Sequence, residues 1–126
     1  MTTRALWLLS SDLLLGSRLT SAAERCGWSV QQFLSWEEFS RHRQERAPDV
    51  LLWDLSLAFS PEAVARACPA SCRRVAFGPH VLTTVLQSAA AAGFDPVLTR
   101  GALFGQLESW LQRWAESPHP AAEKAR

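Results

Sequence analysis

The sequence lacks the features that mark several classes of protein. Its 13 lysines and arginines nearly balance 12 aspartates and glutamates, so it has no charge excess with which to hold nucleic acid or an anionic membrane. The apolar run at residues 5–9 is far shorter than the roughly 20 residues that span a bilayer. The first residues also carry no secretory signal. We therefore expect a cytoplasmic protein with no nucleic-acid or membrane partner.

Cysteine is scarce and irregularly spaced. The three cysteines Cys26, Cys68 and Cys72 form no disulfide framework, because their number is odd and their spacing follows no pattern. Cys68 and Cys72 do not have the two-residue gap of a thioredoxin-like pair, and no second cysteine or histidine pair lies nearby to complete a metal site. We predict free thiols.

The chain also lacks the parts of a catalytic centre. No glycine-rich loop is present, and the polar residues 10–12 after the first apolar run contain no glycine that would let a backbone approach a pyrophosphate. His42, His80 and His119 lie far apart in the sequence and share no carboxylate, so none is expected to act as a general base or metal ligand. We predict that the protein is not an enzyme.

Short apolar runs alternate with helical patterns along the chain. Strands are predicted at residues 5–9, 28–34, 50–54, 73–77 and 94–98. Helices are predicted at residues 15–26, 35–45, 61–67, 81–92 and 103–114, the last as one strongly amphipathic helix. Continuous apolar runs are typical of strands buried on both faces. Alternation of this kind predicts an α/β domain with a mostly parallel sheet and helices on both sides.

Polar residues mark the expected ends of the helices. Ser35 with Glu38 forms a capping box, Ser60 before Pro61 is a typical helix start, and Asp12 suits the N-cap of the first helix.

In a parallel sheet, functional groups collect where the strands end. The residues in that position are 10–12, Ser35, Asp54, Gly78 and 99–100. Asp54 is the one acid that ends a strand.

This arrangement resembles the receiver domain of response regulators, of the chemotaxis-regulator type. The resemblance covers residues 4–114 and depends on three segments: PDVLLWDL at 48–55, AGFDPVLTR at 92–100, and the first strand and helix ending at Cys26-Gly27-Trp28. It implies a flavodoxin-like three-layer sandwich with strand order 2-1-3-4-5. The predicted domain is 1–115. The tail at 116–126 contains two prolines and mixed charges and has no apolar period, so it is predicted to be a disordered tail or linker.

The resemblance also assigns the positions that receivers use for phosphoryl chemistry. The phospho-acceptor position is Asp54. The acidic pair that holds Mg²⁺ in the family falls on Ser10 and Ser11. The switch hydroxyl falls on Gly78 and the switch aromatic residue on Val97. The lysine falls on Arg100. Only the acceptor is intact. Because two serine hydroxyls lack the charge that offsets dehydration of Mg²⁺, we expect no metal and no cofactor.

Two readings of the neighbouring charges stay open. Asp12 is expected to cap the first helix, although it could instead turn inward as a remaining metal ligand. Arg100 keeps the positive charge of the lysine but not its shape, and a salt bridge with Asp54 would fill the phosphate position from within.

The leading hypothesis is a pseudo-receiver that works without phosphorylation, through a protein partner or self-association. The alternatives are a phosphorylatable regulator that uses Asp54, and a small-molecule sensor, which requires a cavity at the strand ends. Trp110 and Trp114 on the last helix are candidates for a partner surface, with packing against the sheet as the competing interpretation. Trp7 and Trp53 are expected in the core. The partner, the oligomeric state and any output domain beyond Arg126 are left open.

Overall fold

A computed structural model describes residues 4–42, 48–57, 61–67, 72–79 and 83–116. The strands are β1 (Arg4–Leu9), β2 (Trp28–Phe33), β3 (Val50–Asp54), β4 (Arg73–Gly78) and β5 (Val97–Thr99). The helices are α1 (Leu13–Arg25), α2 (Trp36–His42), α3 (Pro61–Arg66), α4 (Thr83–Ala91), α5 (Arg100–Gly105) and α6 (Leu107–Glu116).

The five strands form one parallel sheet in the order β2-β1-β3-β4-β5, which confirms the predicted fold class and strand order. β1 lies between β2 and β3, with Leu6 opposite Val30 on one side and Val50 on the other. Every residue of β3 is buried, as expected for a strand covered on both faces. The carboxyl end of β3, which includes Asp54, therefore lies in the middle of the sheet.

Alternate residues of the strands face two separate cores. Leu6 and Leu8 of β1 pack in the core on the side of α1, α5 and α6, whereas Trp7 and Leu9 pack on the side of α2, α3 and α4. Trp53 joins the second core, so the prediction that Trp7 and Trp53 are core residues is confirmed. The result is a three-layer sandwich.

Two predicted helix starts are confirmed in detail. The Asp12 carboxylate accepts a hydrogen bond from the Leu15 amide at 3.0 Å, which makes Asp12 the N-cap of α1. The Ser35 hydroxyl accepts from the Glu38 amide, and the Glu38 carboxylate accepts from the amide of Leu34.

The fifth strand and the last helix differ from prediction. Phe94 is buried and its ring lies 5.3 Å from that of Trp53, so it fills the second core instead of opening a strand, and β5 begins at Val97. The last helix is two helices rather than one, because Gly105 and Gln106 interrupt it. Glycine is a poor helix former, and the backbone of Gln106 is non-helical at φ −137° and ψ 41°.

Several predictions lie outside the described residues. They concern Ser60, Cys68, His80, His119, the end of α2 and the start of α4 beyond the bounds given above, and the tail after Glu116. Cys26 is a free thiol, as predicted, and the buried Cys72 thiol donates a hydrogen bond to the Arg73 carbonyl at 3.4 Å. Within the described residues, no helix is both long and apolar enough to cross a membrane.

Candidate functional site

The ends of β1, β3 and β5 bring three sequence-predicted residues together. Ser10 directly follows β1, Asp54 is the last residue of β3, and Arg100 follows β5 as the first residue of α5. Ser10 is fully buried and Asp54 almost so. Parallel strands end at one edge of the sheet, so the fold places residues far apart in the sequence at one site.

Both carboxylate oxygens of Asp54 are engaged by the protein itself. Oδ2 accepts a hydrogen bond from the Ser10 hydroxyl at 2.7 Å, and Oδ1 accepts from the Ser56 amide at 2.9 Å. Arg100 Nη2 lies 3.8 Å from the same Oδ1. The Asp54 side chain is only 3% exposed. This carboxylate is therefore enclosed and partnered on both sides.

Ser10 joins the acceptor position to the loop after β1. Its hydroxyl donates to Asp54 and also accepts a hydrogen bond from the Asp12 amide at 3.2 Å. The neighbouring Ser11 is exposed. Of the two serines at the acidic-pair positions, only Ser10 contributes to the site, and it contributes a neutral donor where a metal-binding receiver has a charged ligand.

Asp12 is held as a helix cap and ion-pair partner. One oxygen accepts from the Leu15 amide, and the other lies 3.4 Å from Arg100 Nη1. The hydrogen bond from Leu15, helped by the Arg100 guanidinium, lowers the pKa of Asp12 below its ordinary value. Asp12 thus stays negative at neutral pH, and its oxygens face Leu15 and Arg100.

Arg100 spans the two carboxylates. One terminal nitrogen faces Asp12 and the other faces Asp54, a bridge that the planar guanidinium can form and a compact ammonium group cannot. The salt bridge to Asp54 that the sequence suggested is present. The contact with Asp12, 88 positions away in sequence, was not anticipated.

The two switch positions are filled by packing. Gly78 ends β4 and is buried, and a Cβ on it would lie 3.1 Å from the Cβ of Leu55, closer than an ordinary van der Waals contact. Leu55 therefore occupies the room that a side chain at 78 would need. Val97 is half-buried opposite Ala76 and packs on the second core without a ring.

Gln32 is a site residue that sequence reasoning missed. Its side-chain amide donates to the carbonyls of Ser10 and Asp12 at 2.9 and 3.1 Å. The same side chain lies against Gly16, in the space that a Cβ there would take. The signals available in the sequence were a glutamine within a strand and a glycine within a helix. Gln32 thereby fixes the loop that carries Ser10 and Asp12.

These residues do not fit a magnesium ion. Mg²⁺ requires several oxygen ligands in octahedral geometry, usually including carboxylates. Here the oxygens of Asp54 and Asp12 already accept protein hydrogen bonds, and the cation beside them is Arg100. Within the described ranges, no group of three or more histidine, cysteine, aspartate or glutamate side chains is placed to hold a metal ion.

The two tryptophans proposed as a partner surface are placed differently from each other. Trp114 is 1% exposed and packs in the first core, so its assignment to a surface is wrong and the packing interpretation is correct. Trp110 is half-buried, stacks on Trp114, and donates from Nε1 to the Ala102 carbonyl at 3.3 Å. Trp110 therefore joins α6 to α5 across the break at Gln106.

Comparison with solved structures gives this fold its class, the receiver domain of response regulators. One similar structure is a response regulator from Burkholderia pseudomallei with a phosphorylated aspartic acid, at 19% identity and a TM-score of 0.74, covering 97% of this chain and 73% of that one. Another is the receiver domain of the sensor histidine kinase PA1611 from Pseudomonas aeruginosa, with magnesium in its active-site cleft, at 16% identity and a TM-score of 0.74, covering 92% of this chain and all of that one.

Full-length FixJ from B. japonicum is also similar, at 12% identity and a TM-score of 0.79, with 98% of this chain covered. This chain spans 63% of FixJ. No protein-family model and no curated protein sequence matches this chain. The structural similarity establishes the shared fold. At sequence identities this low, the function has to be inferred from the site.

Proposed function

We propose that this chain is a pseudo-receiver, a signalling domain that keeps the receiver fold and acts without phosphorylation of Asp54. The observation that carries the proposal is the internal closure of Asp54. Ser10 and Ser56 occupy its two oxygens, Arg100 supplies the neighbouring positive charge, and the side chain is 3% exposed. A phosphodonor would have to displace these partners before reaching the carboxylate.

The chemistry of phosphoryl transfer supports the proposal. Such transfer depends on positioning and on neutralising charge at the transferring oxygens, usually with a metal ion. Ser10 and Ser11 offer no charge at the acidic-pair positions, and the charge of Arg100 is already shared between Asp12 and Asp54. We therefore propose a non-enzymatic domain without a metal cofactor.

The switch positions point the same way. Gly78 has no hydroxyl to follow a phosphate, and Leu55 fills the space beside it. Val97 has no ring to rotate. A change at Asp54 would not be passed on by the residues that perform this task in the receivers that the sequence resembles.

The proposed mode of action is binding to a protein partner or to a second copy of the chain. Apolar groups available for such contacts are Leu13 and Leu14 on α1, which are 65% and 86% exposed, and the half-buried Trp110. Light scattering after size-exclusion chromatography, on the parent protein and on Leu14→Ser and Trp110→Ala, would separate self-association from binding to another protein. The cytoplasmic location stays a prediction.

Treatment with acetyl phosphate and Mg²⁺, followed by intact-mass spectrometry, tests the proposal. We expect no increase in mass by a phosphoryl group, whereas a receiver with an intact acidic pair is modified in the same reaction. Asp54→Asn serves as the control for site assignment. Stoichiometric modification that disappears in Asp54→Asn would overturn the proposal in favour of a phosphorylatable regulator.

A magnesium titration tests that alternative separately. Trp53 precedes Asp54 and is buried beside it, so its fluorescence would respond to metal binding at Asp54. We expect no change at millimolar Mg²⁺. A saturable change absent from Asp12→Asn would support Asp12 as a metal ligand.

A further inference from the structure

A groove runs along the domain between α1 and the last two helices. It consists of two neighbouring cavities of about 480 and 460 Å³ that share Arg18 and Phe104. The first cavity lies at the carboxyl end of the sheet, where Asp12 and Arg100 form part of its lining. Its volume falls within the roughly 300–1,000 Å³ of typical small-molecule sites.

The walls of the first cavity are largely apolar. Leu14 on α1, which is 86% exposed, and the buried Leu15 both belong to its lining. Phe104 of α5 adds an aromatic ring to the lining. Gly101 leaves the α5 side open, since a Cβ there would meet no atom within 4 Å. The leucines of α1 and the aromatic ring of α5 give the cavity apolar surface from two helices, against which a flat or extended apolar body can pack.

The charged side chains in this cavity differ in whether they form ion pairs. Asp12 and Arg100 pair with each other at 3.4 Å. Arg18 lies over the Phe104 ring, 4.9 Å from its centroid, and one terminal nitrogen donates to the Phe104 carbonyl at 3.4 Å. None of the described carboxylates pairs with Arg18, so this guanidinium has further donors and an uncompensated charge.

The carboxylate that lines the second cavity does not pair with Arg18 either. Its other arginine, Arg25, is paired with Glu108 at 2.9 Å. The charges of Arg25 and Glu108 therefore cancel locally. Arg18 is left as the cation with spare donors where the two cavities meet.

We propose that this groove binds a small amphipathic carboxylate. Its apolar body lies between Leu14 and Phe104, and its carboxylate accepts hydrogen bonds from the Arg18 guanidinium, a planar donor that matches a carboxylate in shape and charge. Burying apolar surface against the walls drives binding, and the ion pair selects an anion over a neutral molecule of the same shape.

The proposal goes beyond the proposed function, and the binding itself does not depend on whether Asp54 is phosphorylated. If the domain acts without phosphorylation of Asp54, binding of such a carboxylate would be an alternative signal. The groove is physically connected to Asp54, because Asp12 and Arg100 line the cavity and Arg100 also contacts Asp54. A ligand at Arg18 would thus lie close to Arg100, the residue that contacts the Asp54 carboxylate.

Isothermal titration calorimetry with 2-naphthoate and its neutral analogue 2-naphthamide tests the proposal on the full chain. We expect saturable binding of 2-naphthoate and at least tenfold weaker binding of 2-naphthamide. Arg18→Gln should weaken 2-naphthoate binding at least tenfold and bring it to the level of the amide. Leu14→Ser should weaken both compounds. Arg66→Gln, an exposed arginine on the opposite helix layer, is the matched control and should bind like the parent.

Three results would overturn the proposal: no saturable binding of 2-naphthoate at millimolar concentration, equal affinity for the amide, or unchanged affinity in a folded Arg18→Gln variant. Circular dichroism checks that each variant folds. If Arg18→Gln fails to fold, the comparison of acid with amide on the parent protein still decides whether the groove selects an anion.

Discussion

The Ser10 hydroxyl lies 2.7 Å from a carboxylate oxygen of Asp54, although the two residues are 44 positions apart. Each is enclosed, Ser10 completely and Asp54 almost so. A hydrogen bond from a neutral group to a buried carboxylate is among the stronger interactions available to a small domain. In this molecule it lies where receivers that use a metal have a second carboxylate.

Ser10→Ala should therefore destabilise the fold. The substitution removes a donor from a buried carboxylate and leaves Asp54 with the Ser56 amide and Arg100. We expect a loss of about 1.5–3 kcal/mol in the free energy of unfolding, measured by urea denaturation at pH 7. Ser11→Ala is the matched control, because Ser11 is exposed, and it should change stability by less than about 0.5 kcal/mol. Equal effects of the two substitutions would contradict the assigned role of Ser10.

Arg100 should prove harder to replace with lysine than its charge alone suggests. Arg100→Gln removes the cation beside Asp54 and Asp12, and we expect a loss of about 1 kcal/mol, since the side chain is partly exposed to solvent and screened by it. Arg100→Lys should recover only part of this, because an ammonium cannot face both carboxylates at once. Urea denaturation at low and high salt measures both variants. Full recovery by lysine would show that bridging by the guanidinium is unimportant.

The acid limb of the stability curve should depend on Asp12. Its pKa is lowered in the folded state, chiefly by the Leu15 amide and further by Arg100. The stabilisation is therefore complete above the ordinary value near 3.8 and is lost as the pH falls through the lower folded value. Asp12→Asn keeps a capping oxygen but cannot titrate.

Urea midpoints of the parent and Asp12→Asn, compared between pH 7 and pH 3, measure this effect. The advantage of the parent over the variant should shrink as the pH falls below about 4. A difference between the two proteins that stays constant across this range would show that the charge of Asp12, held by the Leu15 amide and Arg100, is not its source.

Gly78→Thr should destabilise the domain by overpacking. A Cβ at 78 meets Leu55 at 3.1 Å, and forcing extra atoms into a packed core costs about 1–3 kcal/mol. Leu55→Ala opens a cavity by itself. It keeps the Leu55 Cβ at 3.1 Å, but it removes the Cδ1 and Cγ atoms at 3.6 and 3.8 Å and should therefore make room for the outer atoms of a threonine at position 78. A double-mutant cycle by urea denaturation should give a favourable coupling energy between the two substitutions. Simple additivity would show that the two positions do not compete for space.

Much of the fold could be predicted from the sequence, because its strands are continuous apolar runs and its helix starts carry their own capping residues. Asp12 and Ser35 cap the helices as expected. The errors occur where distant packing overrides the local pattern. Phe94 looks like the start of a strand but is buried against Trp53, and the amphipathic pattern of the last helix continues through the break at Gln106.

The sequence predicted where the site residues lie better than it predicted which side chains contact each other. The rule that functional groups lie where strands end located Ser10, Asp54 and Arg100. The pairing of Arg100 with Asp12, and the reach of Gln32 to the loop carbonyls, depend on side-chain directions across elements far apart in the chain. Such directions are set by the assembled sheet and leave no local pattern in the sequence.

The contact between Gly78 and Leu55 limits which side chains position 78 can accept. A hydroxyl side chain introduced at 78 alone meets Leu55, and shrinking Leu55 alone leaves a void. Each route to the double change passes through a less stable intermediate. The side chain at position 55 thus restricts position 78 to a residue without a Cβ, and a phosphorylation switch that uses a hydroxyl at 78 would require changes at both positions.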